Sequence, residues 1–242
     1  PLLAPDRLSD GTHFFDITLN LHPGEIVGIS GLVGSGRSEL LMSLFGANRV
    51  TQGEIRIDGR RVRYGSPREA IAQGIALVPE SRKDQALFLQ LATGENISVL
   101  KLDEFSAMGW IGQKSKNRLE EEYRNKLNVK TASLQTPIIN LSGGNQQKAV
   151  IARWLTVSPR ILLLDEPTRG IDVGAKGEIY EIIRDLARTG MGILVVSSDL
   201  PEILAISDRV YVMRQGRFAA ELHGQEINQE TIMFHATGGR ES

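Results

Sequence analysis

Gly31-Leu32-Val33-Gly34-Ser35-Gly36-Arg37-Ser38 sits between two stretches of different character. Before it, Glu25-Ile26-Val27-Gly28-Ile29-Ser30 is short and mostly apolar, the composition of a buried strand. After it, Glu39 to Phe45 carries Leu40, Leu41, Leu44 and Phe45 on one helical face, and Gly46 is a natural stop. A strand, a glycine turn and a helix start make a phosphate cradle. Glycines let the backbone approach an anion, the N–H groups point inward, and the helix N-terminus adds positive potential. The spacing is that of G-x-x-x-x-G-K-[ST], with Arg37 in the place of Lys. Ser38 keeps the hydroxyl that suits Mg²⁺. Taken alone, the octapeptide also reads as a glycine-rich turn without chemistry, and two later stretches decide between the readings.

The composition bounds the answer without choosing it. A chain of 242 residues holds one large α/β domain or two small lobes, and 41% hydrophobic with 24% charged residues is ordinary for a globular protein. A formal net charge of -1 gives no electrostatic footprint for nucleic acid. With 0 Cys there is no disulfide, thiolate metal site or thiol nucleophile, which suits a cytosolic setting. No apolar run approaches the ~18 residues of a membrane helix, and no signal peptide is expected. The opening Pro1-Leu2-Leu3-Ala4-Pro5 lacks Met, which leads us to expect a piece of something longer.

Along the chain, residues 1–10 read as a linker running into an edge strand, and Phe14 to Leu21 alternates well enough for a strand. Gly53 to Val62 reads as a hairpin turning at Asp58-Gly59, Pro67 to Gln73 as a short helix, and Gly74 to Pro79 as a second buried strand. Ser81 to Gln85 is a polar loop. Residues 92–156 read as a helical insertion, within which the charged run Lys114 to Lys126 is a solvated helix face. Arg160 to Leu164 and Gly192 to Val196 are continuous apolar strands of parallel-sheet type. Helices are expected over Gly174 to Arg188 and Leu200 to Ile206. A strand over Arg209 to Met213 turns at Gln215-Gly216, and a polar tail with one helix near Gln229 to Ala236 ends the chain. Strand–helix alternation predicts a parallel sheet with helices on both faces.

The second deciding stretch is Ile161-Leu162-Leu163-Leu164-Asp165-Glu166-Pro167-Thr168. An apolar strand ending in Asp165 sets a carboxylate beside the cradle, where it holds Mg²⁺, and Glu166 after it can orient an attacking water. The third is Leu141-Ser142-Gly143-Gly144-Asn145-Gln146-Gln147-Lys148, in which Ser142 and the paired glycines precede an apparent helix from Gln146 to Leu155. That is a second anion site on a helix N-terminus, or else an N-cap and turn.

Together these stretches resemble the ATP-binding cassette of ABC transporters. Gly31–Ser38 is similar to Walker A, Ile161–Glu166 to Walker B and Leu141–Gln147 to the signature motif, while the run to Asp172 resembles the D-loop. With Val78-Pro79-Glu80-Ser81-Arg82-Lys83 and Asp165–Ala175, the chain looks like the second cassette of tandem-cassette sugar importers of the ribose, galactose, xylose and arabinose type. The resemblance implies a RecA-like P-loop α/β core (residues 1–91 and 157–242) with a small antiparallel β layer and a helical subdomain (92–156). It implies ATP bound by Gly31, Gly34, Ser35, Gly36, Arg37, Ser38, Glu80 and Ser198, with Mg²⁺ held at Ser38, Asp165 and Glu80 and water activated by Glu166. It also implies that Leu141, Ser142, Gly143, Gly144, Asn145 and Gln146 serve the partner's ATP, with Asp172 in the D-loop.

Departures from the pattern carry their own expectation. Arg37 replaces Lys, Glu80 stands where the family has Gln, and Ser198 stands at the switch His. The four histidines, His13, His22, His223 and His235, all lie elsewhere, and Leu8 stands about where an aromatic ring lies under adenine. The chain's own site is therefore expected to bind Mg-ATP and to hydrolyse it poorly. The expected function is to drive carbohydrate import by closing against a second cassette on the same polypeptide. The expected location is the cytoplasmic face of the cell membrane, with transmembrane permease subunits and, indirectly, a periplasmic or extracellular sugar-binding protein as partners, and no nucleic acid. The alternatives are a soluble non-transport ABC ATPase, which often carries coiled-coil or basic insertions not visible here, and a regulatory ATP-binding module without turnover. A P-loop kinase leaves the Leu141–Gln147 stretch without a role.

Overall fold

The computed structural model describes residues 1–107 and 110–239. Residues 108–109, inside the expected helical block, and 240–242 lie outside the described residues. In chain order the elements are β1 (Leu3–Ser9), β2 (Ile26–Gly31), α1 (Arg37–Leu44), β3 (Gln52–Ile57), β4 (Arg60–Val62), α2 (Pro67–Ala72) and β5 (Ile75–Val78). Then come α3 (Thr93–Ser98), α4 (Leu102–Phe105), β6 (Ser106–Ala107), β7 (Trp110–Ile111), α5 (Gln113–Lys126) and α6 (Gly143–Leu155). The chain continues with β8 (Ile161–Asp165), α7 (Val173–Arg188), β9 (Gly192–Val196), α8 (Leu200–Ile206), β10 (Arg209–Arg214), β11 (Arg217–His223) and α9 (Gln229–Thr237).

One compact unit comprises residues 1–77, 160–167 and 183–239. Its main sheet has the order β11-β10-β2-β9-β8-β5. β10, β2, β9 and β8 run parallel to one another, and β11 closes one edge antiparallel to β10. The parallel strands read as unbroken apolar runs because both of their faces are covered, and every residue of β8 and β9 is buried. Parallel pairing also sets the site. The register aligns Ile29 with Val196 and Val196 with Asp165, so the carboxyl ends of β2, β9 and β8 share one edge of the sheet. A smaller antiparallel sheet, β1-β3-β4, turns at Asp58 (φ 51°) and Gly59 (φ 75°), the paired positive φ of a tight two-residue hairpin.

The other unit comprises residues 78–159 and 168–182. Its helices α3, α5 and α6 pack on one another around a core that includes charge. Lys116 and Glu120, on successive turns of α5, turn inward as an ion pair at 2.6 Å, and Glu120 accepts from Ser98 Oγ at 2.7 Å. Arg153 of α6 is buried and donates to the Asn96 backbone carbonyl at 2.6 Å and side-chain oxygen at 2.9 Å. Burial pulls its guanidinium down to about 10. The charged run of α5 is therefore only partly the solvated face that its composition suggests.

Other expectations are corrected as well. Residues 1–10 do carry the expected edge strand, β1 at the margin of the β1-β3-β4 sheet, but it begins at Leu3 and leaves no linker before it within those residues. Phe14–Leu21 is not a strand: it touches β1 through bridges at Ile17 and Leu21, and Asp16 at φ 59° breaks its alternation. Ser81–Gln85 is not a loop, because Arg82–Ala86 forms one turn of wide π-helix capped by Ser81. The polar tail hides β11, and α6 starts at Gly143 rather than Gln146. Among the described residues no helix is long and apolar enough to cross a membrane.

Candidate functional site

The cradle forms where β2 ends and α1 begins. Gly36 is the N-cap of α1 at φ 98°, and a Cβ there would lie 2.5 Å from the His13 carbonyl oxygen, so only glycine fits. Since glycine has no side chain, no cap accepts from the first-turn amides of α1, and they stay open to an anion. The segment behind Gly36 is held by Asp10, which accepts from the backbone N–H groups of Thr12 (2.9 Å), His13 (2.7 Å) and Phe14 (3.1 Å) and from the His13 ring at 2.7 Å. Burial pushes the Asp10 carboxyl up, but these donors outweigh it and hold it at about 2.

Four side chains converge at the sheet edge beside this cradle. Ser38 Oγ donates to Asp165 Oδ1 at 3.1 Å. Burial drives the Asp165 carboxyl up to about 6, against the Ser38 hydrogen bond, and the Glu166 charge pushes the same way as burial. Such a pair of hard oxygens fits a magnesium ion that takes its remaining ligands from water and phosphate. The buried Ser35 hydroxyl has no protein partner in the cradle wall, which also fits a site built for a polar ligand. Among the described residues no cluster of three His, Asp or Glu side chains forms a closed metal cage. Glu166 sits at φ 48°, and its Oε1 accepts from the Ser198 backbone N–H at 2.8 Å. Ser198 thus meets Glu166 through its main chain. Arg37 is 6% exposed, and its Nη1 donates to the Ser197 carbonyl at 2.6 Å. Burial lowers its guanidinium pKa, while the carboxylates of Glu166, Asp165 and Glu39 raise it. Leu8 is fully buried and bridges Ile17, so it is a core residue and no platform for a base.

The remaining sequence candidates lie in the second unit. Ser142 is the N-cap of α6, and its Oγ accepts from Asn145 N–H at 3.4 Å and from Asn145 Nδ2 at 3.0 Å. Asn145 Oδ1 accepts from Lys130 N–H at 2.8 Å. Gln146 is buried and donates to the Ile138 carbonyl at 3.2 Å. Asn145 and Gln146 therefore shape the turn, and Ser142 is the exposed hydroxyl of the set. Leu141 is half-buried, with its N–H bonded to the Ile138 carbonyl at 3.1 Å. Asp172 caps α7, accepting from Ala175 N–H at 3.1 Å. Glu80 forms an ion pair with Arg169.

A family model described as ABC transporter matches residues 14–169. The chain belongs to the ABC transporter family. Curated relatives of this family member include the ribose import ATP-binding protein RbsA of Yersinia pestis bv. Antiqua, 50% identical over 98% of this chain and 46% of that protein. The protein of the same name from Bacillus subtilis (strain 168) is 47% identical over 94% of this chain and 46% of that protein. The chain spans about half the length of the curated relatives it matches. Among solved structures, a nucleotide-free ATP-binding cassette from an ABC transporter superposes with TM-score 0.83 at 20% identity, covering 96% of this chain and 95% of that one. A dimeric cassette bound to ADP and Pi gives TM-score 0.76 at 24% identity, covering 91% and 98%. The fold of this family member is thus the α/β fold of ABC cassettes, as its motifs imply.

Sequence reasoning missed the Asp10 clasp, the Ser197 carbonyl and Arg82. The first two act through backbone groups, which no side-chain motif announces. Arg82 stands in a polar run whose composition resembles any solvated turn.

Proposed function

We propose that the chain is the ATP-binding domain of an importer for ribose-type sugars, binding Mg-ATP on the cytoplasmic face of the membrane and closing against a second cassette to drive uptake. Permease subunits and, through them, an external sugar-binding protein complete the assembly. The observation that carries this reading is the Ser38–Asp165 pair beside Glu166, set at the head of an open helix N-terminus. Gly31–Ser38 binds the phosphates through its amides. Ser38 and Asp165 hold magnesium, which when bound neutralises phosphate charge. Glu166, steadied by the Ser198 N–H, accepts a hydrogen bond from water with its other carboxylate oxygen and takes up the proton as general base. The names and length of the curated relatives support importer membership and pairing with a second cassette.

The chain's own site is the weak one of the pair, because Arg37 is occupied with Ser197 and no imidazole stands at Ser198. Ser142 serves the partner's ATP from the N-terminus of α6, in a helical subdomain over 92–156. The chain is expected to bind Mg-ATP in calorimetry and to show near-background steady-state ATPase. Failure to bind nucleotide at millimolar concentration would overturn the reading. Robust turnover abolished by Glu166→Gln would instead make the site a competent one.

A further inference from the structure

Arg82 touches two of the motif stretches, from within a third, and has no part in the chemistry above. It opens the wide helical turn two residues past Glu80. Its Nη1 donates to the Arg169 carbonyl at 2.7 Å, its Nη2 to the Gly170 carbonyl at 3.1 Å and its Nε to Gln146 Oε1 at 3.4 Å. The fit is close on the α6 side. A Cβ on Gly143 would lie 2.7 Å from Arg82 Nη2 and 3.1 Å from the Gly170 oxygen, and one on Gly144 would lie 2.9 Å from Ala175 Cβ. The glycine pair, which sequence reading assigns to a turn, is in the first turn of α6 and admits both neighbours. Arg169 extends the arrangement through its ion pair with Glu80.

This is an arginine fork on two successive carbonyls, a geometry that an ammonium group cannot reproduce. Burial lowers the Arg82 guanidinium pKa, as expected of a side chain drawn out of water to make these bonds. Three residues before Arg169 stands Glu166, and three after it stands Asp172, so the fork grips the connection between them at its middle.

We propose that Arg82 is a positioning residue: its fork fastens the Gly170 peptide to the first turn of α6, so that Ser142 and Asp172 meet the partner cassette as one rigid element. The proposal rests on the reading that Ser142 and Asp172 serve a partner's nucleotide. Closure then requires two groups to arrive together in one geometry, and a linkage that flexes by an ångström loses much of the rate.

The test uses the full transporter in nanodiscs with Arg82→Ala and Arg82→Lys, and with Ser142→Arg as a control on the underlying reading. Arg82→Ala should lower kcat of transport-coupled ATPase by roughly 10- to 100-fold, with KM for ATP changed less than about twofold. Arg82→Lys should behave like Arg82→Ala. In the same assembly, amide exchange over residues 168–173 should quicken by about tenfold or more in both variants, with residues 31–38 unchanged. Unchanged exchange at 168–173 would mean that no clasp exists. Full turnover in Arg82→Lys would mean that charge, not the fork, matters, and quickened exchange with normal turnover in both variants would make the clasp structural only. Each of these overturns the proposal. If exchange quickens and turnover falls as expected, but Ser142→Arg leaves turnover intact, the partner-site reading fails while the clasp stands.

Discussion

The N-terminus of α1 begins at a glycine whose backbone is the cap, and no side chain accepts from its first amides, whereas α6 begins at Ser142, whose own hydroxyl bonds back to Asn145. Both are helix starts in glycine-rich sequence, and both attract anions through the same partial charge. They differ in what satisfies that charge before a ligand arrives. At α1 the amides have no internal substitute, and the Arg37 guanidinium is turned onto the Ser197 carbonyl. At α6 the serine accepts one long hydrogen bond, from the Asn145 N–H at 3.4 Å, and one of ordinary length from Asn145 Nδ2 at 3.0 Å, and the long one is the cap that a better acceptor can displace. The α1 start leaves its first amides open, while the α6 start already satisfies one of its own.

The largest expected effect separates the two ends directly. In the full transporter, Ser142→Arg should reduce coupled ATPase by about 10²–10³-fold, the loss typical of a donor aimed at developing charge. Arg37→Ala should weaken nucleotide binding at its own site by no more than about tenfold, because the guanidinium is already held on the Ser197 carbonyl, and leave coupled turnover near wild type. Side-by-side assays that reverse this ranking would overturn the proposed assignment of strong and weak sites.

Gly36→Ala sharpens the comparison next. The alanine must hold φ near 98° with its Cβ against the His13 carbonyl, so it should cost on the order of 1–3 kcal/mol of stability and abolish tight Mg-ATP binding. Thermal unfolding and calorimetry read both. An equivalent change at Ser142, to glycine, should cost only a few tenths of a kcal/mol.

Smallest is the pH dependence of the loop behind α1. The Asp10 carboxyl lies near 2 in the folded chain against 3.8 for the free group. Its stabilisation is therefore full above the unfolded value and is lost as pH falls through the folded one. Wild type should exceed Asp10→Asn by about 1–2 kcal/mol at pH 5, and the gap should close toward pH 2 in urea titrations.

What was legible in the sequence follows the strength of each physical signal. β8 and β9 carry unbroken apolar runs that only a doubly covered strand requires, and their bounds were readable within a residue. The Gly31–Ser38 cradle and the Asp165-Glu166 pair were readable because few arrangements need those residues at those spacings. β11 was not, because an edge strand buries Leu222 fully and little else, leaving a pattern close to that of a polar tail. The start of α6 was misplaced because glycine is a poor helix former, and the close approach of Arg82 and Ala175 overrides that propensity. The partners of Arg37 and Ser198 were illegible because they involve backbone atoms brought together by sheet register.

Glu166 holds its carboxylate from a left-handed backbone, at φ 48°, on a residue with a long side chain. That conformation costs about 1–2 kcal/mol relative to the right-handed one. Any programme that selects this chain for heat resistance alone will therefore be drawn toward glycine or asparagine at this position. It would gain robustness by erasing the carboxylate that accepts from the Ser198 N–H, so thermostability and nucleotide binding have to be scored together at residue 166.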